Sequence, residues 1–339
     1  MNKITKLGVS ALCGSLAAIS SANAGDLSVT GGVDMSWMSL EDTNTGNPIG
    51  IGSNLTFSGS GELDNGWGVA LSVAMTNLDA YSNTNVVVTV PTMGDIRIDQ
   101  GTSGTGLDRI DDVTPNVWEE AWGTGVGTGI DLISGVAGGA GIEYTPNMLP
   151  DGLTARVSYS PKVNGSNASD KGTSGGGAAS ASGSGYDITL VADSALIGVE
   201  GLTIYAGLSE TEQYTDSAAI NGDKEEETWA IKYAMGGFTL GYQVSEEDLG
   251  RASDPTEYEN TAYGITFQIN DDLSIGYNNI ESEQKSGTAT TAESTSIQVA
   301  YTMGGASIRL ADTSVDNSAY QTATGYDKDG RTLSVSLAF

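Results

Sequence analysis

Trp67-Gly68-Val69-Ala70-Leu71-Ser72-Val73-Ala74-Met75-Thr76 is the stretch whose reading decides the fold class. Trp67, Val69, Leu71, Val73 and Met75 fall on one side of an extended chain. Gly68, Ala70, Ser72, Ala74 and Thr76 fall on the other. A period of two is the signature of a strand, because successive Cβ atoms point to opposite faces. The same division recurs in 27–38, where Leu27, Val29, Val33, Met35 and Trp37 oppose Ser28, Thr30, Asp34 and Ser36. It recurs at the end of the chain, where Leu333, Val335, Leu337 and Phe339 oppose Ser334, Ser336 and Ala338. About sixteen such segments follow one another, each near the ~10 residues that cross a bilayer when tilted. They start near Leu27, Ile51, Trp67, Asn85, Ile96, Ala140, Gly152, Gly185, Leu202, Thr228, Phe238, Asn260, Leu273, Ser294, Ala306 and Arg331.

The connections alternate in length. Asp64-Asn65-Gly66, Gly94-Asp95, Gly236-Gly237, Asn270-Asp271-Asp272 and Gly304-Gly305 are tight turns, built from residues that tolerate positive φ. Met93-Gly94-Asp95-Ile96, Met235-Gly236-Gly237-Phe238 and Met303-Gly304-Gly305-Ala306 share one pattern, and strand parity puts Met235 with Phe238 and Met303 with Ala306 on the apolar side. The intervening connections 41–50, 162–184, 210–227 and 246–259 are longer and polar. Short turns at one end and long loops at the other are the asymmetry of an outer-membrane barrel. A soluble sandwich also alternates, but its second face is charged. Here that face is mostly Ser, Thr, Gly, Ala and Asn, which suits a water-filled lumen. Tyr144, Tyr159, Tyr186, Tyr233, Phe238, Tyr242, Tyr277 and Tyr301 lie on the apolar faces toward strand ends, as interfacial girdles do.

Residues 1–24 read as an export signal. Lys3 and Lys6 precede a short apolar stretch, and Ala22-Asn23-Ala24 is an A-x-A cleavage site. Cys13, the one cysteine, leaves with it. The 339 residues carry 43 acids, 14 bases and no histidine, for a formal net charge of −29. Histidine-dependent catalysis and His- or Cys-ligated metal sites are therefore excluded, and the charge argues against nucleic acid. No enzymatic activity is expected.

Signal, strand number, loop asymmetry and the terminal Phe339 together resemble the trimeric general diffusion porins of Gram-negative bacteria, especially the alpha-proteobacterial type. The resemblance spans residues 25–339. It implies an all-β transmembrane antiparallel barrel in the outer membrane, a homotrimer in contact with outer-membrane lipid and lipopolysaccharide, and delivery to the barrel assembly machinery through Phe339. It implies passive diffusion of small hydrophilic solutes and ions. It also implies that the third long loop, here about 102–139, folds inward and narrows the pore. At roughly 35 residues this loop far exceeds an ordinary hairpin connection.

The candidate constriction residues are Asp108, Arg109, Asp111, Asp112, Glu119 and Glu120 on that loop. Wall candidates, taken from parity, are Arg97, Asp99, Arg156, Lys232 and Arg309. Arg97, Arg156 and Arg309 fall mid-strand and are expected to oppose the loop acids. Glu143, Asp187 and Asp193 are read as further lumen acids. Gln243, on the lumen face, is expected to tolerate Arg, whereas Leu240 on the lipid face is not. Acids outnumber bases, so the pore is expected to prefer cations. No cofactor is expected beyond loosely bound Ca2+. Asp42-Thr43-Asn44-Thr45-Gly46 and Asp327-Lys328-Asp329-Gly330 only faintly match calcium loops. The alternatives are a substrate-selective outer-membrane channel and a soluble secreted acidic all-β binding protein.

Overall fold

The structure, a computed structural model, describes residues 27–41, 46–77, 80–100, 104–163, 182–213, 220–285 and 289–338. The export signal, Phe339 and residues 42–45 lie outside these. The described chain forms sixteen antiparallel strands. The first eight are β1 (Ser28–Leu40), β2 (Ile49–Glu62), β3 (Gly68–Thr76), β4 (Ala80–Val90), β5 (Gly94–Gln100), β6 (Gly141–Pro146), β7 (Leu153–Ser160) and β8 (Ser182–Ala192). The second eight are β9 (Leu202–Gln213), β10 (Lys224–Met235), β11 (Phe238–Asp248), β12 (Glu257–Gln268), β13 (Leu273–Lys285), β14 (Thr290–Met303), β15 (Ala306–Asp316) and β16 (Lys328–Ala338). Each strand pairs with its successor. β1 closes on β16 in the register Val33↔Leu337, Met35↔Val335 and Trp37↔Leu333. Closure leaves no sheet edge unpaired, the condition for a sheet to sit in hydrocarbon. Among the described residues no helix is long and apolar enough to span a membrane.

Burial is inverted relative to a soluble protein. Leu240, Leu190, Ile308 and Ile297 are exposed on the outside. Ser282, Ser294, Ser296 and Thr189 are shut away inside. Outward aromatic rings gather in cross-strand pairs, with Phe238 stacked on Phe267 at a centroid distance of 4.3 Å and Trp229 tilted against Tyr242 at 5.6 Å. Such pairs stabilise neighbouring strands beyond their area.

Two tight turns follow the expected register, with Met235↔Phe238 and Met303↔Ala306 paired directly and Gly236 and Gly304 both at φ 60°. The turn at Met93 does not. The β4–β5 ladder ends at Val90↔Gly94, because Pro91 has no N–H to continue it. Several strands also begin earlier than expected. β10 takes in Lys224-Glu225-Glu226-Glu227, and β12 takes in Glu257-Tyr258-Glu259. Above the hydrocarbon the outward face needs no apolar residue, so the hydrophobic alternation stops while the hydrogen-bonded ladder continues. Asp193 is not a lumen wall residue. Its carboxylate caps α1 (Ser194–Ile197) in the β8–β9 turn, accepting from the Ala195 N–H at 2.8 Å.

Candidate functional site

The β5–β6 connection is the third at the long-loop end, and its described part, 104–140, runs inside the barrel. Its outgoing leg touches the wall strand by strand. The Gly106 N–H donates to Glu143 Oε2 (2.8 Å) and the Leu107 N–H to Asp187 Oδ2 (2.8 Å). Gln243 Nε2 donates to the Ile110 and Asp111 carbonyls at 2.7 and 2.8 Å, and its Oε1 accepts from the Val113 N–H at 2.9 Å. Asn278 Nδ2 donates to the Glu119 carbonyl at 3.3 Å, Ser294 Oγ to Ala121 at 3.0 Å, and Thr332 Oγ1 to Thr124 at 2.8 Å. The leg thus sweeps from β6 round to β16. The return leg lies alongside. The Asp131 N–H meets the Tyr320 hydroxyl, Ser134 and Gly135 donate to Glu226, and Val136 donates to Asp187.

The loop sits close because the wall has glycine beneath it. At Gly207 an added Cβ would lie 2.5 Å from Leu107 Cδ1. At the cross-strand pair Gly241↔Gly264 it would strike Pro115. Leu107, Ile110 and Ile133 are buried against Val113, Val191 and Tyr205, a small apolar core inside a polar lumen. It supplies the hydrophobic burial that holds the loop, and the carboxylates and amides of the wall satisfy its backbone N–H and C=O groups.

The candidate residues separate. Asp108 and Arg109 lie on a short 3-10 turn, Gly106–Arg109, and Asp111 and Asp112 follow it. Glu119 and Glu120 lie further along the same leg. Arg109 forms a two-pronged pair with Glu143, its Nη2 at 2.6 Å from Oε1. The wall bases do not assemble into a cluster facing the loop acids. Arg97 pairs with Asp99 at 3.3 Å, at the root of the loop. Arg309 pairs with Asp34 at 3.4 Å and also pulls on a loop acid, Glu119. Arg156 lies beside Arg109 and Glu143. Lys232 rests its ammonium 5.5 Å from the centre of the Tyr205 ring.

The wall that the outgoing leg leaves bare, β1 to β4, presents Thr30, Asp34 and Ser36, Asn54, Thr56 and Ser58, then Ser72 and Asn85 to the lumen. No Lys or Arg occurs between Lys6 and Arg97. That gap in the sequence signals that this wall has no base. Glu143, Asp187, Glu226 and Glu247 are likewise not free lumen charges. All are buried, the first three as acceptors for loop N–H groups and Glu247 against Lys224 at 2.5 Å.

A family model described as the Gram-negative porin family matches residues 8–319. The chain belongs to that family. The porin has solved neighbours of the same fold. The OmpF of Salmonella typhi, in complex with daunomycin, is 14% identical with a TM-score of 0.70, covering 93% of this chain and 98% of that one. An anion-selective porin from Comamonas acidovorans is 13% identical with a TM-score of 0.64, covering 94% and 100%. In-vitro folded OmpT of Vibrio cholerae is 12% identical with a TM-score of 0.63, covering 92% and 97%. No curated protein sequence matches. The porin is an outer-membrane protein, and its family and fold are those of diffusion channels.

The porin's loop acids are crowded, and crowding holds protons on them. Burial first, then the charge of Asp112, pushes the Glu120 carboxyl up to about 7. Burial and the neighbouring Asp112 and Asp108 also raise Asp111. Burial raises Glu119 against the opposing pull of Arg309. Asp112 stands exposed to the lumen. At 327–330 the side chains of Asp327 and Lys328 have partners within the protein. Asp327 accepts the Asn317 N–H at 3.0 Å, Lys328 reaches the Gly127 carbonyl at 2.6 Å, and 328–330 belong to β16.

Proposed function

We propose that this protein is a homotrimeric, cation-preferring general porin through which small hydrophilic solutes and ions diffuse passively, with residues 102–139 as its constriction. The observation that carries the reading is the asymmetry of the lumen. The acid-bearing loop faces a wall, β1 to β4, whose only charges are acidic, while the bases lie on other strands and on the loop, Arg97 and Arg109 paired there with carboxylates and Arg309 with Asp34. Inside an opening only several Å wide, charges are not screened by a Debye length of ~8 Å at physiological salt. Their sum sets ion preference. Asp112, Glu119 and Asp34, joined by Glu120 and then Asp111 as they ionise with rising pH, outweigh Arg309 on the solute's path.

The trimer contact falls on the first strands, whose outward Val29 and Ile51 are 52% and 70% exposed. Phe339, outside the described residues, hands the chain to the assembly machinery. Lipid and lipopolysaccharide surround the barrel. Catalysis and resident cofactors play no part. Divalent cations associate loosely with outward acids such as Glu246, Glu257 and Glu259, whose oxygens come within 4.8 Å of one another. The test is a reversal potential across a KCl gradient in a planar bilayer. Cation preference that weakens at high salt, in steps of three conducting units, is expected. Anion preference would overturn the assignment of the constriction.

A further inference from the structure

Below the outgoing leg of the loop, on the short-turn side, loop residues Arg109 and 112–116 and the wall of β9 to β12 line a cavity of about 670 Å3. Its floor is small and hydroxylic. Thr203 is paired across strands with Lys232, and Thr239 with Thr266. The loop forms its roof with Arg109, Asp112 and Asn116. The volume is that of a small-molecule site with a few convergent polar groups.

The charges here differ from those along the rest of the lumen. Arg97, Arg109, Lys224 and Arg309 each have a carboxylate within 4 Å. Among the described residues none lies within that reach of Lys232, whose ammonium sits against the Tyr205 ring and opens onto the cavity. Arg109 gives Nε and Nη2 to Glu143, which leaves the Nη1 edge of its guanidinium. A carboxylate entering the cavity meets Lys232 and the Thr203 hydroxyl on one side. A hydroxyl or ammonium on the same molecule meets Asp112 and Asn116 on the other.

We infer that this cavity is a subsite, on the periplasmic side of the constriction, for small solutes that carry a carboxylate together with hydroxyl or amino groups. The inference rests on the porin reading and adds a substrate class to it. It gives carboxylates a resting place just beyond a passage whose field disfavours them. An exposed ammonium–carboxylate pair is a weak attraction, so the site loads at high concentration without blocking exit.

The test uses gluconate as probe and sorbitol, its uncharged counterpart of the same chain length, as control, each titrated at fixed KCl in a planar bilayer. Currents are normalised to each variant's own open-channel level. For the native protein gluconate should lower the current along a saturating curve, whereas sorbitol should lower it linearly, as viscosity does. Lys232→Gln should weaken the apparent gluconate affinity by about fivefold, the loss of one exposed ion pair. Lys232→Arg should largely restore it. Lys285→Gln, on the outer face, should leave the gluconate curve unchanged. A gluconate curve as linear as that of sorbitol, or one unaltered in Lys232→Gln, would overturn the subsite. Absence of any KCl conductance steps from the native protein would overturn the channel reading instead.

Discussion

Leu240 and Gln243 are three positions apart on β11 and face opposite sides of the wall. Leu240 is 43% exposed to lipid, and its replacement by Arg is expected to cost about 2–4 kcal/mol near the midplane, measured by urea titration in lipid vesicles. Gln243, 3% exposed, is no tolerant lumen site, because it holds the backbone of Ile110, Asp111 and Val113. The tolerant comparison is Thr56, between Thr30 and Ala74 on the bare wall. Thr56→Arg should leave stability nearly unchanged and shift the reversal potential toward anions. At the loop, Glu120 ionises as pH rises through about 7, so cation preference should grow between about pH 6 and 8. A carboxylate with a raised pKa is neutral below that value and charged above it, and Asp111, raised as well, extends the growth to higher pH. Changing Asp111 and Asp112 together to Asn should lower cation preference and flatten that pH response. A preference that instead falls with rising pH would remove these residues from the solute's path.

At the scale of elements, the strands were readable because each obeys one local rule: apolar outside, small or polar inside. The rule failed where its physical basis ends. Glu225-Glu226-Glu227 forms strand without an apolar partner face, and Pro91 stops a ladder that the Met93 pattern extends. The third loop was legible in position and length. Its path was not, because that is fixed by contacts between residues far apart in sequence, such as Val113 with Gln243 and Thr124 with Thr332. Parity placed Arg97, Arg156 and Arg309 on the correct face. It is silent on which partner each takes once a loop runs through the lumen. The Gly241↔Gly264 pair under Pro115 gives this element its own prediction. Gly264→Val should push the loop off the wall while leaving the outer ladder intact, raising the rate at which neutral sugars swell liposomes. An unchanged exclusion limit would mean that Pro115 does not set the loop's depth.

For the whole molecule, a net charge of −29 is less informative than its distribution. Several of the acids counted toward that total, Glu143, Asp187 and Glu226 among them, tether backbone rather than attract ions. The loop's tethers on β10, β11, β14 and β16 have a kinetic consequence. None of these strands exists beside the loop until most of the chain has been laid down, and the entropy of closing such long segments falls due before the contacts repay it. The loop therefore docks last, into a cylinder that has already closed. Every newly inserted molecule is expected to pass through a stage as a wider, leakier hole. In folding experiments that follow detergent-solubilised chains entering vesicles, large dyes should escape during an early interval that ends before tryptophan fluorescence has settled.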